Sequence, residues 1–160
     1  MTTVVVDASL AVKWVLLEEH SAEAVQLLGT WDEQGFDLVA PSWFPCEVSN
    51  VLFQRYRNGI VSAEQARSAL IYLLRLVPSS DYEPTAAVRA LELATRFSLR
   101  ATYDSHYLAL AEHLDCELWT ADQRFWNATR ATFPRVRWIG EVALEPDRLA
   151  TPDTSPGNDS

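Results

Sequence analysis

The chain has 160 residues, 48% of them hydrophobic and 22% charged, which is enough for one domain with a real core. No apolar run reaches the roughly 20 residues that span a bilayer, and the two cysteines, Cys46 and Cys116, make neither a CxxC pair nor a disulfide framework. The net charge of −9 excludes a broadly basic surface for capturing nucleic acid. Of the 13 cations Lys13 is the single lysine, and arginine suits bidentate contacts at chosen points rather than diffuse attraction.

The first predicted element is a strand at 3–6, whose Val4-Val5-Val6 run ends on Asp7. A helical pattern, ASLAVKW, starts directly after it. With strand-like sequence reached this early and no charged leader, no signal peptide is expected, and a reduced, cytoplasmic setting is. Residues 21–34 form an amphipathic helix with Ala24, Leu27, Leu28 and Trp31 on one face. A strand at 37–40 is followed by a helix over about 42–58, with Gly59 placed to stop it. Ser62-Ala-Glu-Gln65 reads as a capping box that opens a helix to about 76. A strand near 77–80, helices at 85–97 and 102–114, and strands at 117–120 and 136–139 complete the pattern. Strands alternating with helices predict an α/β domain with a parallel sheet covered on both faces, spanning 1–145. The remainder, 146–160 (PDRLATPDTSPGNDS), has the composition of a disordered tail.

Four carboxylates along this path ask for an explanation. Asp7 closes the first strand, where it can cap the next helix or serve a metal-dependent or phosphotransfer site. Glu47 falls inside or beside the apolar stripe Phe44, Val48, Val51 and Leu52, where an unpaired carboxylate is costly or forced neutral. A position at the stripe's edge would let it reach solvent or an arginine. Asp104 precedes Tyr107 and Leu108 by three and four residues, on the inward side of its helix, with Thr102 available as the cap. A first-turn Asp also suits the helix dipole. Asp122 stands two residues beyond the fourth strand, next to the Thr120 hydroxyl, in a position for a turn or a cap.

In an open parallel sheet, ligands bind beyond the carboxyl ends of the strands where the strand order reverses. Neighbouring first and fourth strands would put Asp7 and Asp122 in that crevice. Were all four acids to converge, two charges about 4 Å apart would repel by roughly 4 kcal/mol at an effective dielectric near 20. Protonation or a hard divalent cation would have to relieve this. Oxygen ligands without His or Cys suit Mg²⁺ or Mn²⁺, and such ions activate water for in-line displacement at phosphorus. Convergence therefore predicts metal-dependent phosphodiester cleavage.

The segments VVVDASLAVKW, CEVSNVL, YDSHYLALAE and LWTADQRF, in this order and spacing, resemble the PIN-domain ribonucleases. They are most similar to the VapC-type toxins of toxin–antitoxin pairs, over nearly all of residues 3–140. The resemblance implies a three-layer α/β/α domain around a parallel sheet with the first strand at its centre. It implies the acidic quartet Asp7, Glu47, Asp104 and Asp122, supported by Ser9, Asn50 and Thr120. Asp7, Asp104 and Asp122 are then the expected metal ligands, and Glu47 orients the attacking water or holds a second ion. The resemblance further implies Mg²⁺ or Mn²⁺ as cofactor, RNA as substrate, a cognate antitoxin as partner and a homodimer. Ser105 stands where many relatives carry Ala. Arg124, two residues past Asp122, is a candidate for substrate phosphate.

Other readings compete. Haloacid-dehalogenase-like phosphatases also use a strand-ending Asp but want a second one two residues later, where this chain has Ser9. Receiver domains want an acidic pair and a late Lys that are missing. A metal-free ribonuclease would draw on His20, His106 and His113, of which the last two are seven apart and read as a solvated pair. A PIN-like scaffold that binds protein without catalysis is the remaining alternative, and retention of all four acids speaks against it. The tryptophans Trp14, Trp31 and Trp119 sit at stripe or strand positions and are expected to pack in the core rather than stack on bases.

Overall fold

The computed structural model describes residues 2–80 and 84–146. The segment read as a disordered tail lies, from residue 147 onward, outside them. β1 (Thr2–Val6) carries the Val4-Val5-Val6 run, and all three valines are buried. A strand apolar on consecutive residues needs cover on both faces, which is the environment of a central parallel strand.

β1 is flanked by β2 (Phe36–Pro41) and β4 (Glu117–Thr120). β3 (Ser79–Ser80) and β5 (Val136–Trp138) lie outside these, giving the order β3-β2-β1-β4-β5 with every pair parallel. In register, Val4 faces Leu38 on β2, and Val5 and Val6 face Leu118 and Trp119 on β4. The chain lays β2 and β3 to one side of β1 and then β4 and β5 to the other. The strand order thus reverses between β1 and β4, and their carboxyl ends open the crevice where α/β sheets bind ligands.

Helices cover the sheet. α1 (Ala8–Ala11) continues as a 3-10 turn over Val12–Trp14. α2 (Ser21–Gln34) buries Ala24, Leu27 and Trp31, packs on β2 and ends at Gly35, which has φ +69°. Trp31 meets Trp119 edge to face at 5.7 Å and stacks near Phe36 at 6.5 Å, so these indoles belong to the core.

α3 (Phe44–Arg57) buries Phe44, Val48 and Leu52. It closes as expected at Gly59, with φ +71°, where the Gly59 and Ile60 N–H groups return to the Tyr56 and Arg55 carbonyls at 2.9 Å each. α4 (Ala63–Leu76) packs on α3 and opens with the predicted capping box of Ser62 and Gln65. α5 (Pro84–Arg96) lies on α6 (Tyr103–His113), and α6 packs against β1, β2 and β4, burying Ser105 and everything from Tyr107 to Ala111. The result is a three-layer α/β/α arrangement. Among the described residues no helix is long and apolar enough to cross a membrane.

Three local expectations change. The strand near 77–80 shrinks to two residues, because Val77 still caps α4. Thr102 holds the cap position of α6 without a side-chain bond, and its carbonyl instead accepts the Ser105 hydroxyl at 2.7 Å. A further helix, α7 (Gln123–Thr129), follows Asp122, and its seven residues are too few for a clear periodic signal. Past β5, a Cβ at Gly140 would fall 2.3 Å from the Trp138 ring, so glycine is required for that indole to fold over the chain.

Candidate active site

Asp7 lies at the carboxyl end of β1 and is only 5% exposed. Its backbone is extended, so its carboxylate reaches forward as the N-cap of α1. Oδ1 accepts the Leu10 N–H at 2.9 Å and the Ser9 hydroxyl at 2.7 Å, while Oδ2 accepts the Thr120 hydroxyl from the end of β4. Burial pushes its pKa up to about 7; the bonds from Thr120, Ser9 and Leu10 hold it down in part, and the nearby charge of Asp104 adds to the rise. Asp7 is therefore the helix cap that one reading expected, and its burial disfavours its charge.

Thr120 and Ser9 knit the two strand ends together. The Thr120 hydroxyl lies 3.3 Å from that of Ser9 and accepts the Asp122 N–H at 2.9 Å, while Ser9 Oγ accepts the Ala121 N–H at 3.0 Å. Asp122 then caps α7, its Oδ1 accepting the N–H groups of Arg124 (2.8 Å) and Phe125 (3.1 Å). The crevice between β1 and β4 thus holds Asp7 and Asp122, linked through one threonine.

The other two acids arrive from helices. Asp104 sits in the first turn of α6, half-buried, and its pKa is raised by burial and by the charge of Asp122. Glu47, in the first turn of α3, is also half-buried and raised by burial and by the charge of Asp104, against the lowering effect of a hydrogen bond from the Tyr107 hydroxyl. Asp104 is the hub of this cluster, because it feels Asp122 and is felt by both Asp7 and Glu47. Among the described residues, no cation stands in ion-pair contact with Asp7, Glu47 or Asp104.

The remaining predicted residues divide. Ser9 and Thr120 are built into the site. Asn50 is exposed on α3, one turn beyond Glu47, and among the described residues no hydrogen bond joins it to the acids. Arg124 is exposed next to Asp122. The histidines do not gather: His106 packs edge-on against Trp43 at 4.1 Å with its pKa lowered by burial, His113 is exposed at the far end of α6, and His20 lies beside Glu19 and Glu23. Both cysteines are free. Sequence reasoning placed Tyr107 in an apolar stripe and missed its bond to Glu47. The available signal was a phenol among aliphatic neighbours, since a buried tyrosine hydroxyl must find a partner.

The donor set is all oxygen, which suits a hard divalent ion. Among the described residues, no three His, Cys, Asp or Glu side chains already stand as a metal-holding group. Mg²⁺ keeps several of its waters and needs only one or two direct carboxylates, so the residues fit an ion held partly through water.

Residues 4–130 match the sequence pattern of the PIN domain. This chain belongs to the PIN-domain family. The PIN domain here is similar in fold to PAE2754 from Pyrobaculum aerophilum, with a TM-score of 0.64, 19% identity, and coverage of 87% of this chain and 92% of that one. It is also similar to VapBC2 from Rickettsia felis bound to a DNA fragment from their promoter (0.61, 14%, 80% and 94%). A third similar structure is VapC20 of Mycobacterium tuberculosis, a Sarcin-Ricin loop cleaving toxin (0.58, 16%, 79% and 95%). No curated protein matches the chain in sequence. The PIN fold accounts for the central position of β1 in the sheet.

Proposed function

We propose that this PIN domain is a metal-dependent endoribonuclease, acting as the toxin of a toxin–antitoxin pair and using Mg²⁺ or Mn²⁺. The observation that carries the reading is the bonding of the Asp7 carboxylate and the Asp122 N–H to one Thr120 hydroxyl at the β1/β4 switch point, with the charge of Asp104 acting on Asp7 and Glu47. Asp7 and Asp104 are the principal ligands, and Asp122 completes the site directly or through water. When bound, the ion supplies water activation and charge neutralisation for displacement at phosphorus.

The chain's own residues do the rest. Glu47 orients the attacking water and receives its proton, a task suited to a carboxyl whose pKa is raised. Thr120 and Ser9 hold the Asp7 carboxylate in one orientation, and Asn50 and Arg124 lie at the exposed side for contact with the RNA strand. The products are a 5′-phosphate and a 3′-hydroxyl. Because the protein carries a net charge of −9, binding of RNA depends on the divalent ion and on local arginines rather than on a basic surface. An antitoxin partner and a homodimeric state belong to this proposal, and the likeness to the VapBC2 structure supports the antitoxin partner.

The test is cleavage of single-stranded RNA by purified protein with Mn²⁺. Wild type cuts and EDTA stops it. Asp7→Asn, correctly folded, loses at least about 100-fold in rate, the scale on which a direct electrostatic contributor is missed. Equal activity in Asp7→Asn, or cleavage that survives EDTA and leaves 2′,3′-cyclic phosphate ends, contradicts the proposal.

A further inference from the structure

We infer that Tyr107 is a positioning residue of the carboxylate site, its buried hydroxyl fixing the Glu47 carboxylate in place. The consequence for catalysis rests on the nuclease reading above, whereas the geometry does not. Tyr107 is 1% exposed and is followed on α6 by the buried run Leu108-Ala109-Leu110-Ala111. A phenol costs less there only if its hydroxyl is satisfied. It donates to Glu47 Oε2.

One hydroxyl therefore joins α3, which carries Glu47, to α6, which carries Asp104 one turn earlier. With Oε2 held on the phenol, the other Glu47 oxygen has no hydrogen bond among the described residues and is left for the water that this carboxylate orients. A phenylalanine would fill the same volume and lose this bond, so packing alone does not explain the tyrosine.

The experiment compares wild type, Tyr107→Phe, Glu47→Gln and the double variant, in RNA cleavage with Mn²⁺ and in crystal structures of wild type and Tyr107→Phe. Tyr107→Phe is expected to lower kcat by about 10- to 100-fold, the usual cost of losing a partner that orients a site ligand, with KM nearly unchanged. In the Glu47→Gln background the same substitution is expected to add nothing. In the crystal structure of Tyr107→Phe the Glu47 carboxylate leaves its wild-type position. An unchanged kcat, a full additional loss in the Glu47→Gln background, or a Glu47 carboxylate that stays in place would overturn the inference. Should wild type cleave no RNA with Mn²⁺, the nuclease reading fails by itself, and the position of Glu47 in the Tyr107→Phe crystal still decides the role of the tyrosine.

Discussion

Asp104 has neighbours that disfavour its charge and, among the described residues, no hydrogen bond that rewards it. Its pKa is raised by burial and by Asp122, and its own charge raises Asp7 and Glu47. Replacing it by Asn removes the hub of the repulsion and sacrifices no described bond. The metal-free Asp104→Asn protein should gain about 1 kcal/mol, which raises Tm by roughly 3 °C in a chain of this size. A melt in EDTA checks this, and a lower Tm would show that the four acids do not share a field. At this scale the sequence was informative about which residues matter, because each acid interrupts a pattern: a strand end, an apolar stripe, an inward helix start. It was silent about how Tyr107 and Glu47 pair, since 60 residues separate them and each alone has an ordinary explanation.

The strands and the long helices were legible because their periodicity is strong and their ends are marked chemically. Gly59 and the Ser62–Gln65 box stop and start α3 and α4 where turn chemistry predicts. The seven-residue α7 and the two-residue β3 were not, because so short an element is decided by its neighbours rather than by its own pattern. The joint between β1 and β4 shows what neighbours decide. Thr120 gives its hydroxyl hydrogen to Asp7 and takes the Asp122 N–H, so one side chain satisfies groups on two elements. Thr120→Val keeps the shape and leaves both groups unsatisfied. Denaturant unfolding should show a loss of about 1–3 kcal/mol, and because the Thr120 bond holds the Asp7 pKa down, that pKa should climb further. A variant as stable as wild type would mean that the joint carries no strain-free hydrogen bonds to lose.

For the whole molecule, the raised Asp7 links stability to pH. The unfolded chain ionises this carboxyl near an ordinary pKa of about 3.9, whereas the folded protein holds its proton up to about 7. Between these values the folded state binds more protons than the unfolded state, so metal-free stability falls as pH rises through that window, by up to about 4 kcal/mol from this residue. Melts in EDTA at pH 5 and pH 8 should give the lower Tm at pH 8. Asp7→Asn should flatten the difference, and Mn²⁺ added at pH 8 should restore stability by mass action. A metal-free wild type that melts higher at pH 8 than at pH 5 would contradict this.

The central claim is that Asp7, Asp104 and Asp122 meet around a divalent ion at the β1/β4 crevice. It is tested most directly by the anomalous difference map of a crystal soaked in Mn²⁺. A manganese peak between these three carboxylates, with Glu47 beside it, is the predicted result. A fully soaked crystal with no peak there, or with manganese bound only elsewhere, would contradict it.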